Sequence, residues 1–203
     1  MKLYFSPSAC SMVPHIVLEE LGLPFTLVPV NMKDKTYSGG DFRKINSKGQ
    51  VPTLELDSGD VLTENSIILQ YLAGLKPDAG LLATSGIERF HQLERLNFLT
   101  TDIHKNFTPL FNPSMPAEAT QIFKDILKTK FTWIDEHLKA SEFISGKTFG
   151  LADAYLFVMT SWASAKGVEI SSCERVLNHH EKMMRRPSVE RALKSEKEFK
   201  KKV

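Results

Sequence analysis

The chain has 203 residues, 42% of them hydrophobic, with 26 Lys and Arg against 24 Asp and Glu for a formal net charge of +2. This is globular usage, which excludes a disordered, collagenous or coiled-coil chain, and the charge is too balanced for a surface that tracks nucleic-acid phosphates. The longest unbroken apolar run, Ala154 to Met159, falls far short of the roughly 18 residues that a spanning helix needs.

Lys2 to Ser6 reads as a short strand stopped by Pro7. That early polar break leaves no room for the apolar stretch of a secretory signal and points to the cytosol. From Ser11 the apolar positions Val13, Ile16, Val17, Leu18 and Leu21 fall at helical spacing. Pro14 sits in the first turn, and Gly22 follows as a C-cap. Phe25 to Val30 supplies a second strand. Asn31 to Gly49 is polar, with one short helix expected around Asp41 to Ile45. Thr53 to Asp57 alternates strictly, and Ser58-Gly59 turns it back into Asp60 to Thr63, an antiparallel hairpin. Glu64-Asn65-Ser66 then caps a helix carrying Ile67, Ile68, Leu69, Tyr71 and Leu72. The order is βαβ followed by ββα.

Lys76 to Gly80 carries linker punctuation, and no strand pattern follows Ser85-Gly86. The expected domains are therefore 1–80, α/β, and 87–203, all helical. Ile87, Phe90, Leu93, Leu96, Leu99, Ile103 and Phe107 form one helical stripe, and Phe123, Leu127, Phe131, Ile134 and Leu138 another. Ala152 to Trp162 is apolar on nearly every side, the pattern of a helix at the centre of a bundle. Two polar helices close the chain, and Lys200-Lys201-Lys202 reads as a solvated terminus.

A strand, a cysteine-bearing turn and a helix, then a Val-Pro pair opening a ββα unit, make a thioredoxin-like plan. With an all-helical domain after it, the chain resembles a soluble glutathione transferase. The similarity extends over the whole chain and runs closest to the bacterial beta class. It is carried by Lys2-Leu-Tyr-Phe-Ser-Pro-Ser-Ala-Cys10-Ser, Pro14-His-Ile-Val-Leu18, Lys48-Gly-Gln-Val-Pro52, Leu62-Thr-Glu64, Leu96-Asn-Phe98, His104-Lys105 and Ala152-Asp-Ala-Tyr-Leu-Phe157. Each motif is weak alone, but in this order and spacing they are jointly specific. The resemblance implies a homodimeric enzyme that takes glutathione as substrate, needs no metal, and conjugates apolar electrophiles or exchanges disulfides.

Cys10 is the leading candidate for the chemistry. Just before a helix N-terminus it faces unsatisfied N–H groups and the positive end of a dipole, so the expectation is a thiolate, the reactive form. The competing reading is a small buried hydrophobe. The resemblance implies that Cys10 can form a mixed disulfide with glutathione. Residue 5 is Phe where beta-class relatives often carry Tyr, which leaves Tyr4 and Ser11 as competing hydroxyls.

The resemblance further implies a cis Val51-Pro52 bond, with the Val51 backbone binding the extended tripeptide. Glu64-Asn65 would form an anion site at a helix N-terminus, the Glu64 carboxylate taking the ligand's amino group. Asn65 departs from the family's usual Ser or Gly. Lys35 matches a lysine that approaches the glycyl carboxylate, though it also reads as a solvated loop residue. Asn97, Thr101 and His104 are about one helical turn apart, with Lys105 adjacent, and would border the sulfur. His104 would donate to it or stabilise its charge, and reads equally as a histidine that only ties helices together. Asp102 matches an acidic position that reaches the partner subunit's glutathione.

Asp153 occupies the third position of the buried helix and reads as structural, with Gly150 at the cap lacking a side chain to reciprocate. His15 reads as packed and hydrogen-bonded, Cys173 as an inert thiol, and Met183-Met184 as core filling. His179-His180 points in two directions and has no third ligand, so no metal is expected. Two other functions stay open. One is a glutathione-dependent thiol-disulfide reductase, and the other is a noncatalytic binding or regulatory module on the same fold.

Overall fold

The computed structural model describes residues 1–200, so Lys201 and Lys202 of the basic terminus lie outside the described residues. The chain forms two compact units, Met1–Ala79 together with the segment from Arg185 onward, and Gly80–Met184.

The first unit opens with β1 (Lys2–Phe5), α1 (Met12–Leu21) and β2 (Thr26–Pro29). β2 pairs parallel to β1, with Lys2 opposite Thr26. Val13, Ile16, Val17 and Leu18 of α1 are fully buried, as their spacing requires. Gly22 takes the left-handed conformation, φ 57°, and its N–H closes the helix onto Glu19 and Leu18 carbonyls. The polar region contains a feature absent from the sequence reading, a two-residue hairpin of β3 (Thr36–Tyr37) and β4 (Gly40–Asp41). The short helix expected behind it is a 3-10 turn, Phe42–Lys44.

β5 (Thr53–Glu55) and β6 (Val61–Thr63) form the expected hairpin, and β5 also pairs antiparallel with β1, which gives the sheet order β2-β1-β5-β6. α2 (Asn65–Leu75) follows. Tyr4, Val30, Phe42 and Val51 form a buried cluster that fixes the start of β5 against β1.

The second unit contains α3 (Gly86–Phe98), a π-helical stretch (Leu99–His104), α4 (Lys105–Phe107), α5 (Ala117–His137), α6 (Leu151–Lys166) and α7 (Glu174–Met184). α6 is buried from Leu151 to Thr160 without a break, as its all-round apolarity requires. Asp153 is fully buried. Its carboxylate accepts from the backbone N–H of Ile144 (2.8 Å), Ser145 (3.3 Å) and Gly150 (2.9 Å), and it bonds His179 Nε2 at 2.9 Å. Met183 is buried, but Met184 is 43% exposed, so only the first of that pair fills core.

The last helix, α8 (Pro187–Lys200), returns to the first compact unit. The reason is chemical: Arg186 and Ser188 bind Glu20 of α1 (Arg186 Nε to Oε2, 2.8 Å; Ser188 Oγ to Oε2, 2.6 Å), and Arg191 binds Glu19 (Nε to Oε2, 2.6 Å). Val189 and Ala192 of α8 are fully buried. His15, buried as expected, bonds Glu196 Oε1 at 3.2 Å, while Glu196 Oε2 accepts the Ser8 N–H at 2.9 Å.

Candidate functional site

In the first unit the Cys10 turn, the start of β5 and the N-terminus of α2 come together. α1 begins at Met12, one residue later than expected, so Cys10 sits just outside the helix. Its Sγ donates to the Val51 carbonyl at 3.3 Å. The Val51–Pro52 peptide is cis. The loop leading into it is held by buried Asn46, which the sequence reading missed. Its Nδ2 donates to the Gln50 carbonyl (2.8 Å) and to Thr53 Oγ1 (2.9 Å).

The ionisation expected of Cys10 is overturned. Burial pushes its thiol up to about 12, and the charge of Glu64 adds to the rise. The backbone N–H groups of Cys10 and Ser11 pull the other way and lose. Although the residue keeps part of its surface in solvent, its sulfur is too poorly hydrated for two amide donors to offset. Cys10 is therefore a neutral S–H donor in the free protein.

Neither competing hydroxyl is available. Tyr4 Oη donates to Glu55 Oε2 at 2.7 Å, and burial, reinforced by that carboxylate, raises its pKa. Ser11 Oγ is fully buried between the Ser6 N–H and carbonyl, 3.2 Å from each.

Glu64 is the N-cap of α2 and holds a left-handed backbone, φ 68°, which a non-glycine residue rarely adopts. Its exposed carboxylate is paired with Lys48 Nζ, which also donates to Thr63 Oγ1 at 2.9 Å. Lys48 is a site residue the sequence reading quoted only as part of a motif. The Asn65 side chain points inward: it is 6% exposed, and its Nδ2 donates to the Cys10 carbonyl at 3.0 Å. Lys35 also has a left-handed backbone, φ 58°, and its stem passes Gly49, where an added Cβ would lie 3.5 Å from Lys35 Cδ.

In the second unit, the π-helical stretch changes the face expected for Asn97, Thr101 and His104. A π turn takes more residues than an α turn, so a spacing that aligns in an α-helix no longer does. Asn97, Thr101 and Lys105 are exposed, whereas His104 turns inward and its Nδ1 bonds Tyr155 Oη at 2.6 Å, beside the Trp162 ring. Asp102 is held by Lys130 Nζ (2.7 Å) and Thr101 Oγ1 (2.9 Å), and these bonds keep its carboxyl below the usual range. Among the described residues no group of three or more His, Cys, Asp or Glu could hold a metal ion. Among them, too, no helix is long and apolar enough to cross a membrane.

A cysteine at the β1–α1 turn, facing a cis-proline strand of a thioredoxin-like sheet in a chain with a second, helical unit, defines the glutathione-transferase class of fold. Residues 7–75 match the family model of the glutathione S-transferase N-terminal domain, and residues 116–191 match that of the C-terminal domain. The chain is 43% identical to glutathione S-transferase GstA of Escherichia coli O157:H7, over 97% of this chain and 98% of that one. A sphingomonad glutathione S-transferase complexed with glutathione superposes with a TM-score of 0.93 at 39% identity, covering 97% of this chain and 98% of that one. The bacterial beta class enzyme of Sphingomonas chungbukensis gives a TM-score of 0.92 at 41% identity, with coverage of 97% and 98%. The chain belongs to the glutathione S-transferase family.

Proposed function

We propose that this transferase is a cytosolic homodimer that joins the sulfur of glutathione to apolar electrophiles, with Cys10 acting as a hydrogen-bond donor to that sulfur. The observation that carries the reading is the Cys10 sulfur set against the Val51 carbonyl at 3.3 Å, where burial favours the S–H over the thiolate. A tripeptide pairing with the Val51 backbone takes that acceptor and frees the S–H to turn toward the incoming thiolate. Glutathione's own sulfur is then the nucleophile. A mixed disulfide is a slower side reaction, in which Cys10, after losing its proton to solvent, attacks glutathione disulfide and expels a glutathione thiolate. Conjugation therefore ranks ahead of the reductase reading.

The γ-glutamyl carboxylate is assigned to the backbone N–H groups at the start of α2, and the ligand's ammonium to Glu64 once Lys48 releases it. Lys35 takes the glycyl carboxylate. In the second unit, His104 is assigned to catalysis, and Asn97, Thr101 and Lys105 to glutathione. Asp102 reaches a partner subunit's glutathione only by leaving Lys130. Exposed Ile87 (71%) and Phe90 (64%) of α3 support the dimer.

The test compares conjugation of 1-chloro-2,4-dinitrobenzene with reduction of bis(2-hydroxyethyl) disulfide in the wild type, Cys10→Ala and His104→Ala. Loss of one donor to a developing thiolate lowers conjugation roughly 10- to 100-fold in Cys10→Ala, and the glutathionylated species disappears from intact mass spectra. Disulfide reduction faster than conjugation in the wild type overturns this order. Failure to bind a glutathione column places the noncatalytic module first.

A further inference from the structure

The Asn65 side chain is a buried amide only half satisfied. Its Nδ2 donates to the Cys10 carbonyl at 3.0 Å, while its Oδ1 is buried with no hydrogen-bond partner among the described residues. Exchanging the two atoms would set two acceptors against each other, so the Cys10 carbonyl itself dictates the orientation. A buried acceptor left unpaired destabilises a fold, and a smaller residue in this place would avoid it. An amide that costs stability in this place points to a task. Its reach is short, because it touches the turn that carries the sulfur.

The Cys10 carbonyl belongs to the peptide unit that joins Cys10 to Ser11, and that unit is planar. Fixing its oxygen fixes the direction of the Ser11 N–H at its other end. The carbonyl already accepts the Val13 N–H at 3.1 Å, so Asn65 is a second donor, reaching across from α2 to lock a plane that α1 holds on one side only. We propose that Asn65 is a positioning residue for Cys10, whose amide clamps the Cys10–Ser11 peptide plane so that the Ser11 N–H stays turned to the sulfur. The Ser11 N–H is one of the two donors that act against the burial of that thiol. The clamp also joins the sulfur's turn to the helix assigned above to the γ-glutamyl carboxylate. This deepens the reading of Cys10 as the working sulfur and rests on it.

The experiment measures carbamidomethylation of Cys10 by iodoacetamide in the ligand-free protein across pH, by peptide mapping, for the wild type, Asn65→Ala and the isosteric Asn65→Asp. Binding of ophthalmic acid, the thiol-free analogue of glutathione, is measured in parallel by calorimetry. The expected result is alkylation about fivefold slower in Asn65→Ala with its pH midpoint moved upward. In Asn65→Asp the loss is larger, because a carboxylate cannot donate and adds charge beside the thiol. Ophthalmic acid affinity changes less than about threefold in Asn65→Ala, since the backbone N–H groups of α2 remain. Unchanged alkylation and midpoint in Asn65→Ala overturn the proposal. So does a lost affinity with normal alkylation, which assigns the amide to the ligand. Should either variant misfold, Asn65→Ser, which keeps a small polar residue at the start of α2, carries the same measurement. A wild type that ignores ophthalmic acid refutes the glutathione reading while the alkylation comparison still judges the clamp.

Discussion

Cys10 in the free enzyme should alkylate more slowly than an ordinary thiol. With its pKa pushed up to about 12, the sulfur is ionised at pH 7.5 to roughly 3 parts in 10⁵, against roughly one in ten for a free cysteine near 8.5. That ratio is about 3000. A more basic thiolate is intrinsically more nucleophilic, which recovers about 40-fold, so the net rate is about a hundredfold below that of free cysteine. Iodoacetamide labelling followed by peptide mapping separates Cys10 from buried Cys173, and thiolate absorbance at 240 nm supplies the titration. The same shift has a stability consequence. The folded state keeps the proton that an unfolded thiol gives up, so Cys10's contribution is intact below about pH 8.5 and is lost progressively toward 12. Chemical denaturation across that window should show a slope that Cys10→Ser removes. A labelling rate equal to that of free cysteine, or a midpoint below about 9, would show that the sulfur is better solvated or better paired than the structure has it.

Asp153→Ala removes the acceptor for three backbone N–H groups and the partner of His179, a loss of roughly 3–5 kcal/mol that should lower Tm by about 10 °C in a thermal melt. Tyr4→Phe should keep kcat/KM within about twofold while costing about 1–2 kcal/mol in denaturant titration, because its hydroxyl serves Glu55. A tenfold loss of turnover would return that hydroxyl to the chemistry. Phe90→Glu places a charge on the exposed apolar face of α3, and if that face carries the proposed dimer, sedimentation should show a dimer for the wild type and a monomer for the variant.

The parts of this fold written in local pattern were readable from the sequence. The alternation of Thr53 to Glu55, the helical spacing from Val13 to Leu21 and the all-round apolarity of α6 each name an element, because burial selects side chains at the period of the backbone. What could not be read depends on partners distant along the chain. α8 is as polar as α7, and its bonds to Glu19, Glu20, His15 and Ser8, all distant along the chain, give it a different address. The charge state of Cys10 follows from how much protein surrounds its sulfur, and a turn position by itself cannot report that quantity. The π-helical stretch has no signature in residue spacing, so the choice between a sulfur-facing and a helix-tying His104 could not be made from it. The identities at Cys10, Val51, Glu64 and Asn65 were visible. The direction in which the Asn65 amide points was not.

The return of α8 to α1 makes the first compact unit discontinuous, built from the two ends of the chain. During synthesis the ribosome must deliver every residue through Glu196 before His15 and the Ser8 amide can meet their carboxylate. The sheet and its cysteine turn are translated early but mature late, since closing contacts that span some 180 residues is slow relative to local helix formation. Excising the amino-terminal 80 residues as a miniature thiol protein would therefore leave Glu19, Glu20 and His15 without their hydrogen-bond partners in α8 and the residue before it.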